Sequence, residues 1–590
     1  MQKLLQINTN HNVDILITFS KILLILFIAI YLIGNFNPYF EGSDSYSYAV
    51  TAKDFSQGKF FYTNELFVTG EEEFFPHDML RTKDSKHAIY AGYSGFFGLT
   101  TISYILAGNY GLFYLGPILG IILLIVSERI STNLFGKYVG LLTLLFLSTN
   151  HLFFRSALNL QTESISSICF LVACYFLIKF FRTNNYYYII GSSSFFVVTT
   201  LMRTNGIIYF PIELMLLIGF FIIIGIKSKM FSAKIKSNSV ILVKFSSLTK
   251  GKLTRIFLLA FIPWLIFFAF YFSYYAYFFD DPFTNDVVLR HGTENTDAKL
   301  TSLFSLSAKN FENVKQYSKY ILPYQFPRIV DTSPNLFLNF NNSFGENWVG
   351  LLALSSLSFF LFLSIWKKNN RLSIIIFTAM IFATVWFFSS VTTEQRALRG
   401  VPGRYMFPAF ILYYMILGFM IVKFLKYSSF KKLINFKIFT RIKVLFVIIL
   451  IIFFLSAFHF SPPIQAIYDN DFHIQDPIEF NERYPLDKEG LSSNDILISS
   501  NLEAMDYGFI QFNAYIQDEN ISPKSLNLLK KTLKDGYDVY IMKNPFNSKD
   551  KMIYKNLANH SEFIIKDHSK SFCKVELSKS NEKTIINDFC

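Results

Sequence analysis

Charged residues are scarce in this chain. Of its 590 residues only 16% are charged, whereas 52% are hydrophobic and 70 are phenylalanine. Soluble domains carry about a quarter charged residues, and so little charge cannot cover a protein of this size in water. An ordinary soluble protein is thereby excluded. The composition predicts a mainly α-helical, polytopic membrane protein.

Acidic residues are absent from two strongly basic stretches. Eight Lys and Arg residues lie between Lys227 and Arg255, and seven lie between Lys423 and Lys443, with no Asp or Glu in either stretch. Both stretches separate apolar segments, which is the pattern of cytoplasmic loops under the positive-inside rule. The net charge of +13 therefore indicates orientation in the membrane and contact with membrane lipids, and we predict no nucleic-acid partner.

Cysteine is scarce as well, with four in the chain. Cys169 and Cys174 fall inside a predicted span, where buried apolar positions are expected. Cys573 and Cys590 lie near the C-terminal end of the sequence. In an oxidising compartment these two could form a disulfide.

Apolar windows combined with the distribution of Lys and Arg predict about eleven membrane spans. This number places the N-terminus in the cytoplasm and the C-terminus outside the cell membrane. The stretch 91–107 has three glycines and is short for a span, so we interpret it as a helix lying on or dipping into the outer face. The predicted spans are 14–34, 111–128, 138–152, 164–181, 186–202, 206–226, 256–279, 347–366, 372–391, 404–422 and 444–460.

Two domains are predicted. Residues 1–460 form the transmembrane domain, with long external loops over 35–110 and 280–345, and residues 461–590 form a small extracytoplasmic α/β domain. No Gly-rich phosphate loop or metal-ligand spacing occurs in the second domain, so we assign it support or recognition. Its predicted elements are a strand at 495–499, a helix from Ser522-Pro523 to Gly536, a strand at 537–542, a helix at 549–557, and strands at 563–565 and 572–577.

The first external loop places a carboxylate directly after the first apolar run, which extends from Ile15 to Ile33. Asp44 therefore lies just outside the membrane. A charge is costly in hydrocarbon but chemically usable at the interface, so Asp44 is a candidate site residue, and a solvated loop acid is the alternative.

An amphipathic interfacial helix is predicted to begin at Asp44. Its N-terminus suits a carboxylate through the helix dipole, and Gly58 is a helix stop signal. The apolar positions that share one helical face are Tyr48, Ala49, Ala52 and Phe55.

Three short motifs occur in order along the predicted membrane domain. They are Asp44-x-Tyr46-x-Tyr48 with Ala52 and Gly58, then His87 and Tyr90-Ala91-Gly92-Tyr93; Arg155 to Glu163 before the span 164–181; and Gly403-Arg404-Tyr405-Met406-Phe407-Pro408 at the start of a late span. Their order resembles the GT-C glycosyltransferases, and more specifically the protein O-mannosyltransferase and aminoarabinose transferase branch. Where many members of that branch have a second acid, this chain has Ser45, and Glu41 or Asp78 could take its place. Ala91-Gly92 stands where a proline pair is common.

The resemblance implies roles for these residues. Asp44, or Glu41 in its place, would be the catalytic base, and Arg404 would bind the phosphate of a polyprenyl-phosphate sugar donor. Supporting phosphate ligands would be Arg203, Arg155 and Lys86, although any such arginine could instead be a snorkelling interfacial anchor. Substrate-binding candidates are Glu163, Tyr46, His87 and Asp78, and Glu163 would orient the acceptor or balance an arginine. No metal ligand is assigned, although His77 with Asp78, or His87, could hold a divalent metal beside Asp44.

These expectations define a membrane glycosyltransferase. It would transfer a sugar from a polyprenyl-phosphate donor to a protein, lipid or glycan acceptor at the extracytoplasmic face, with inversion at the anomeric carbon. The alternatives are a lipid or glycan transporter or flippase, and a non-catalytic glycan-assembly protein. Nearly charge-free spans and external acids favour the enzyme over a transporter.

Overall fold

The computed structural model describes residues 2–35, 42–60, 79–82, 88–90, 94–231, 250–280, 371–391, 406–427, 496–499, 512–515, 523–542, 554–568 and 572–578. Within these ranges, the part of the chain before residue 430 is almost entirely helical. Its helices are α1 (Gln2–Gly34), α2 (Gly42–Ser56), α3 (Ser94–Phe135), α4 (Lys137–Ser148), α5 (His151–Leu158), α6 (Glu163–Thr183), α7 (Tyr186–Met202), α8 (Tyr209–Phe231), α9 (Lys250–Phe279), α10 (Arg371–Val391) and α11 (Phe407–Tyr427).

Several of these helices have the length and apolarity of membrane spans. In the described parts of the chain four qualify, Asp14–Gly34, Ser94–Phe135, Glu163–Thr183 and Thr254–Phe279, and a fifth is present if α4 and α5, bent by 72°, form one broken span. The shorter apolar helices coincide with predicted spans over 186–202, 206–226, 372–391 and 404–422. The protein is therefore a multi-pass membrane protein. Predicted spans 347–366 and 444–460 lie outside the described residues, and the total of eleven stays a prediction.

The segment 94–106 is helical, as expected for the short helix predicted over 91–107. It continues into the next predicted span through a break, because Ala107 and Gly108 have non-helical dihedrals and Gly108 has a φ of 59°. The Ser103 hydroxyl donates to the carbonyl of Gly111 across this break at 2.8 Å. Its expected position on the outer face stays a prediction.

The membrane body is packed around α6. The protein buries 72% of the most apolar segment of α6 but only 22% of the corresponding segment of α9. Helix α9 therefore lies at the edge of the described bundle, where large apolar side chains such as Phe270, 75% exposed, would face lipid. Next to α6 lie α7, which follows it after a two-residue connection, and α3.

A buried ion pair joins α1 to α3. The Lys21 ammonium lies 2.6 Å from the carboxylate of Glu128, and it also donates to the hydroxyl of Thr132 at 2.8 Å. Gly140 of α4 faces the same group, since a Cβ there would lie 2.9 Å from Lys21 Nζ. The polar group is thus enclosed by three helices and fixes the first one, which leads into α2.

Two small sheets complete the description. In the first external loop, β1 (Met79–Arg81) pairs antiparallel with β2 (Ala88–Tyr90). Near the C-terminus a five-stranded sheet has the order β4-β3-β5-β7-β6, in which β4, β3 and β5 are parallel, and β5, β7 and β6 are antiparallel. These strands are β3 (Ile496–Ser499), β4 (Phe512–Tyr515), β5 (Val539–Met542), β6 (Phe563–Asp567) and β7 (Phe572–Leu577), with helix α12 (Pro523–Lys534) before β5.

Most of these C-terminal elements lie where the sequence predicts them. Helix α12 ends before Gly536, whose φ of 88° is the left-handed conformation expected of a stop glycine. The strand β4 was not predicted. Cys573 is disulfide-bonded, whereas Cys169 and Cys174 are free, buried thiols. Cys590 lies outside the described residues.

Candidate functional site

Helix α2 begins within two residues of Asp44, as predicted, and places that residue in its first turn. It ends in a Schellman motif: Lys59 N–H donates to the Asp54 carbonyl at 2.9 Å, and Gly58 N–H donates to that of Phe55 at 3.1 Å. Gly58 has a φ of 75°, which favours glycine. The sequence alone therefore located both ends of this helix.

The apolar face of α2 packs on the start of α3. The ring of Tyr48 meets that of Phe96 edge-on, with centroids 4.8 Å apart, and Phe55 meets Phe97 at 6.1 Å. Ala49 and Ala52 are buried in the same contact region. Aromatic contacts of this kind stabilise by about 0.5–1.5 kcal/mol each beyond simple burial, so α2 is fixed to the bundle.

Helix α2 was predicted to be amphipathic, but its polar side is buried as well. Between residues 45 and 56 no side chain that the structure describes is exposed, and Ser45, Thr51 and Asp54 are fully buried. Small hydroxyl side chains can be buried when they bond to their own helix, and the Thr51 hydroxyl donates to the Ser47 carbonyl at 2.6 Å. Hydrophobic periodicity could not reveal this, because serine and threonine are counted as polar.

A buried ion pair joins two predicted site residues. Arg203 Nη1 lies 2.9 Å from Glu163 Oε1, and the two side chains are 8% and 4% exposed. Glu163 is the first residue of α6, where the helix dipole also favours a negative charge. Glu163 therefore balances an arginine, which is one of its two expected roles. Arg203 is buried and paired, so it is not a snorkelling anchor.

The backbone around Arg203 is tightly constrained. Arg203 lies in extended conformation between α7 and a 3₁₀ helix, Thr204–Ile208. Its N–H donates to the Thr199 carbonyl at 2.9 Å, and its own carbonyl accepts from Gly206 N–H at 2.8 Å. A Cβ at Gly206 would lie 2.8 Å from Thr200 N, so glycine permits the close return of the chain. The guanidinium is thus presented by a rigid turn.

Polar residues between α4 and α6 and in the first turns of α6 form a buried layer beside this pair, and sequence reasoning missed this layer. Asn150 caps α5 and also donates to the Tyr414 hydroxyl of α11 at 2.6 Å. The hydroxyls of Ser156 and Ser164 lie 2.9 Å apart. The signal that could have revealed the layer is the density of Asn, Gln, Ser and Thr between two apolar spans. Its other buried members are Asn159, Gln161, Thr162, Ser166 and Ser167.

Arg155 differs from Arg203 in its surroundings. It lies half-buried in the last turn of α5, and within the described ranges it forms no ion pair. A guanidinium next to a buried polar layer and without a carboxylate partner is suited to an anion. Among the cationic candidates that the structure describes, Arg203 forms an ion pair with Glu163. Arg155 is therefore the candidate whose charge could bind an anion.

The elements bearing these residues meet at one end of the bundle. Gly95, next to the Phe96 ring that contacts Tyr48, lies so close to α7 that a Cβ there would be 2.9 Å from Leu201 Cβ. Leu201 is two residues before Arg203. The structure thus brings α2, which carries Asp44, to the same end as the Arg203–Glu163 pair.

The remaining predicted site residues are not described. Residues outside the described ranges are Glu41, Asp78, Lys86, His87 and Arg404, and the side chains of Asp44 and Tyr46 are likewise not described. Among the described residues no group of three or more His, Cys, Asp or Glu side chains could hold a metal ion. A metal at His77, Asp78 or His87 stays a prediction.

The long apolar helices define a polytopic membrane protein, and comparison with solved structures finds similar chains. ArnT from Cupriavidus metallidurans bound to undecaprenyl phosphate is 12% identical, with 95% of this chain and 98% of that chain covered and a TM-score of 0.49. AglB, the oligosaccharyltransferase of Archaeoglobus fulgidus, in complex with an inhibitory peptide and a dolichol-phosphate, is 12% identical, with 97% and 75% covered and a TM-score of 0.45. The apo form of the Archaeoglobus fulgidus oligosaccharyltransferase is 13% identical, with 90% and 69% covered and a TM-score of 0.47.

These proteins are GT-C glycosyltransferases, the superfamily that the sequence motifs resemble. No family model and no curated protein matches the sequence. Because these TM-scores lie below 0.5 and the identities are 12–13%, nothing about the substrate of this chain follows from them.

Proposed function

We propose that the protein is a membrane glycosyltransferase that transfers a sugar from a polyprenyl-phosphate donor to an acceptor at the extracytoplasmic face. The observation that carries the proposal is the meeting, at one end of the bundle, of α2 with the buried Arg203–Glu163 pair. An acid on a fixed interfacial helix and a cation without a partner among the described residues are the two groups that this chemistry requires.

The reaction is a single displacement. The acceptor oxygen forms a bond to the anomeric carbon while the bond from that carbon to the phosphate oxygen breaks, which inverts the configuration. Asp44 takes the acceptor's proton, a contribution typically worth ~10²–10⁴-fold in rate. The phosphate leaves with the bonding electron pair, and Arg404 and Arg155 stabilise its growing negative charge through forked hydrogen bonds. Glu41 is the alternative base.

The other site residues bind and orient. Arg203 holds Glu163 at the start of α6, and together with the buried polar layer this pair forms the wall next to the donor phosphate. Lys86 adds positive charge from the first external loop. Tyr46, Asp78 and His87, from the same loop, contact the sugar or the acceptor.

A transporter is the second candidate, because ionisable groups do occur inside the spans. The carboxylate of Glu213 is buried within α8, and Lys21 pairs with Glu128. Groups that carry a substrate across a membrane line a water-filled path or a broken helix. Glu213 instead accepts hydrogen bonds from Ser192, Ser193 and Trp264, which favours a structural role for this carboxylate and an enzyme over a transporter.

The proposal is tested with purified protein and a panel of polyprenyl-phosphate sugars. We expect release of polyprenyl phosphate, together with glycosylation of an added acceptor, from at least one donor. Asp44→Asn should lower turnover by ~10²–10⁴-fold, because it removes the base and keeps the shape of the side chain.

The matched control is Asp14→Asn. Asp14, at the start of the apolar span of α1, pairs with Lys137 through half-exposed side chains, and an exposed pair contributes about 0–1 kcal/mol. This variant should keep wild-type turnover. Wild-type turnover in Asp44→Asn would refute Asp44 as the base and direct attention to Glu41.

A further inference from the structure

A buried carboxylate lies in the middle of the α7–α8–α9 packing, where sequence reasoning expected nearly charge-free spans. Glu213 of α8 is 2% exposed. Its Oε1 accepts hydrogen bonds from the hydroxyls of Ser192 and Ser193 of α7, each at 3.0 Å, and its Oε2 accepts from Trp264 Nε1 of α9 at 3.1 Å. Three donors from two neighbouring helices thus converge on one carboxyl group.

These bonds fix how the three helices align. Burying a carboxyl group without hydrogen bonds costs several kcal/mol, and hydrocarbon offers no replacement donors. Trp264 is enclosed by aromatic rings, with Phe210 at 5.1 Å and Phe268 at 5.9 Å between centroids, so its N–H has a set direction. Sliding α8 along α7 by one turn would separate Glu213 from the serines and from Trp264 together.

The position of Glu213 relative to Arg203 links the alignment of α7 and α8 to the Arg203–Glu163 ion pair. Ser193 and Glu213 are equally far from Arg203 along the chain, one before the turn and one after it. At 1.5 Å per helical residue the hydrogen bonds close the α7–α8 hairpin about 15 Å from its tip. The tip carries Arg203, whose guanidinium must stay 2.9 Å from Glu163 on α6. A shift of the hairpin would be transmitted to this contact, because backbone hydrogen bonds on both sides of Arg203 constrain the turn.

We propose that Glu213 is a positioning residue: with Ser192, Ser193 and Trp264 it forms an intramembrane clamp that holds Arg203 against Glu163. The significance of the clamp for catalysis rests on the proposed function, since that places the ion pair beside the donor phosphate. The clamp itself does not depend on the protein being a transferase.

The test measures the coupling between Arg203 and Glu163 with and without the clamp. Thermal unfolding of the detergent-purified protein is recorded for wild type, Arg203→Ala, Glu163→Ala and the double variant, and the same cycle is repeated in a Glu213→Ala background. The non-additive part of the shift in unfolding temperature reports the pair. We expect a clear coupling in the first cycle and a coupling within experimental scatter in the second.

Further variants keep the test decisive. Trp264→Phe removes one donor and preserves an aromatic ring, so it should weaken the coupling even if Glu213→Ala folds poorly. Glu213→Gln keeps an acceptor oxygen for the serines and should restore part of the coupling. The control background is Glu128→Ala, which removes another buried carboxylate, 2.6 Å from Lys21, and should lower the unfolding temperature while leaving the coupling intact.

An unchanged coupling in both the Glu213→Ala and the Trp264→Phe backgrounds would overturn the clamp, whatever the activity of the protein. If transfer is detected, Glu213→Ala should also raise the KM for the lipid donor more than it lowers kcat, as expected for a residue that acts through the donor site. Absence of transfer in the wild type would refute the proposed function and leave the coupling result valid.

Discussion

Arg203 and Glu163 show how charge is kept at the end of an apolar bundle. Their side chains are 8% and 4% exposed, so each charge depends on its partner, 2.9 Å away, more than on water. Removing one member of a buried pair typically costs about 3–5 kcal/mol, because the other charge is left uncompensated. A phosphate would have to compete with Glu163 for Arg203. Arg155 has no such competitor among the described residues.

The first prediction concerns Arg404, which we propose as a ligand of the donor phosphate. If its guanidinium binds the donor phosphate in a forked geometry, Arg404→Lys should weaken transfer although it keeps the charge, because an ammonium is a point donor. The expected loss is about 1.5–3 kcal/mol, the contribution of a charge-assisted hydrogen bond. It should be measured as a reduced kcat/KM for the lipid donor.

Arg129→Lys is the control for this substitution, since the Arg129 side chain is 78% exposed and lysine should replace it without loss. A snorkelling anchor also accepts lysine, because both side chains reach the headgroup layer. Wild-type kinetics for Arg404→Lys would therefore identify Arg404 as an anchor.

Single residues were predictable from the sequence where local chemistry decides their role. Glu163 at the start of a span and Arg203 at the end of another were singled out by position, and Glu163 was expected to orient the acceptor or balance an arginine, but Arg203 was not identified as its partner. Forty residues separate them, and only the packing of α6 against α7 brings them together. The polar layer with Asn150 was missed for the same reason, since its partner Tyr414 is on α11.

At the scale of elements, helix ends were predicted better than helix surroundings. The stop at Gly58 and the start near Asp44 follow from backbone conformation and capping, which are local. The burial of α2 on its hydroxyl-rich side depends on what the rest of the chain places there, and no periodicity encodes it. The break at Ala107 and Gly108, in contrast, lies between the short helix predicted over 91–107 and the span predicted from 111, as the sequence bounds expect.

The packing of α3 against the polar layer gives the next prediction. A Cβ at Gly116 would lie 2.5 Å from the carbonyl oxygen of Asn159 and 3.0 Å from that of Ala157. Gly116→Ala should therefore displace the chain just before Glu163, at a typical cost of about 1–3 kcal/mol for overpacking. We expect reduced transfer activity and a lower unfolding temperature in the purified variant.

Gly98→Ala is the matched control for Gly116→Ala. It is on the same helix and has no atom within 4 Å of the added Cβ. Alanine is a better helix former than glycine by about 1 kcal/mol, so this variant should be as stable as the wild type or more stable. Equal behaviour of the two variants would show that the Asn159 contact does not constrain the site.

At the scale of the whole molecule, the composition was sufficient to predict a polytopic membrane protein. The distribution of charge was sufficient to propose a topology. Four or five spans are recognisable in the described residues, and the rest of the eleven-span topology depends on the basic stretches. In the C-terminal sheet, β4 was missed because Phe512–Tyr515 is short and contains Asn513 between apolar residues. The pairing of β4 with β3 depends on the tertiary fold, and the sequence of four residues does not specify it.

The last prediction tests the orientation of the chain. If the C-terminal sheet is outside, a membrane-impermeant thiol reagent applied to intact cells should label Cys590 once mild reduction has opened the disulfide. Cys573 is disulfide-bonded and fully buried in its sheet, and Cys169 and Cys174 are buried in α6, so none of these three should contribute. Removal of the signal in Cys590→Ser would confirm the source.

The opposite side needs its own reporter. Ser237 lies in the basic stretch between Lys227 and Arg255, which the positive-inside rule places in the cytoplasm. In a Cys590→Ser background, Ser237→Cys should therefore react with the reagent only after permeabilisation. The opposite result would be labelling of this double variant in intact cells, together with no labelling of Cys590 in the intact wild type. That result would invert the topology and move Asp44 to the cytoplasmic face. A transferase using a donor on the outer face would then be excluded, because the base and the donor phosphate would lie on opposite sides of the membrane.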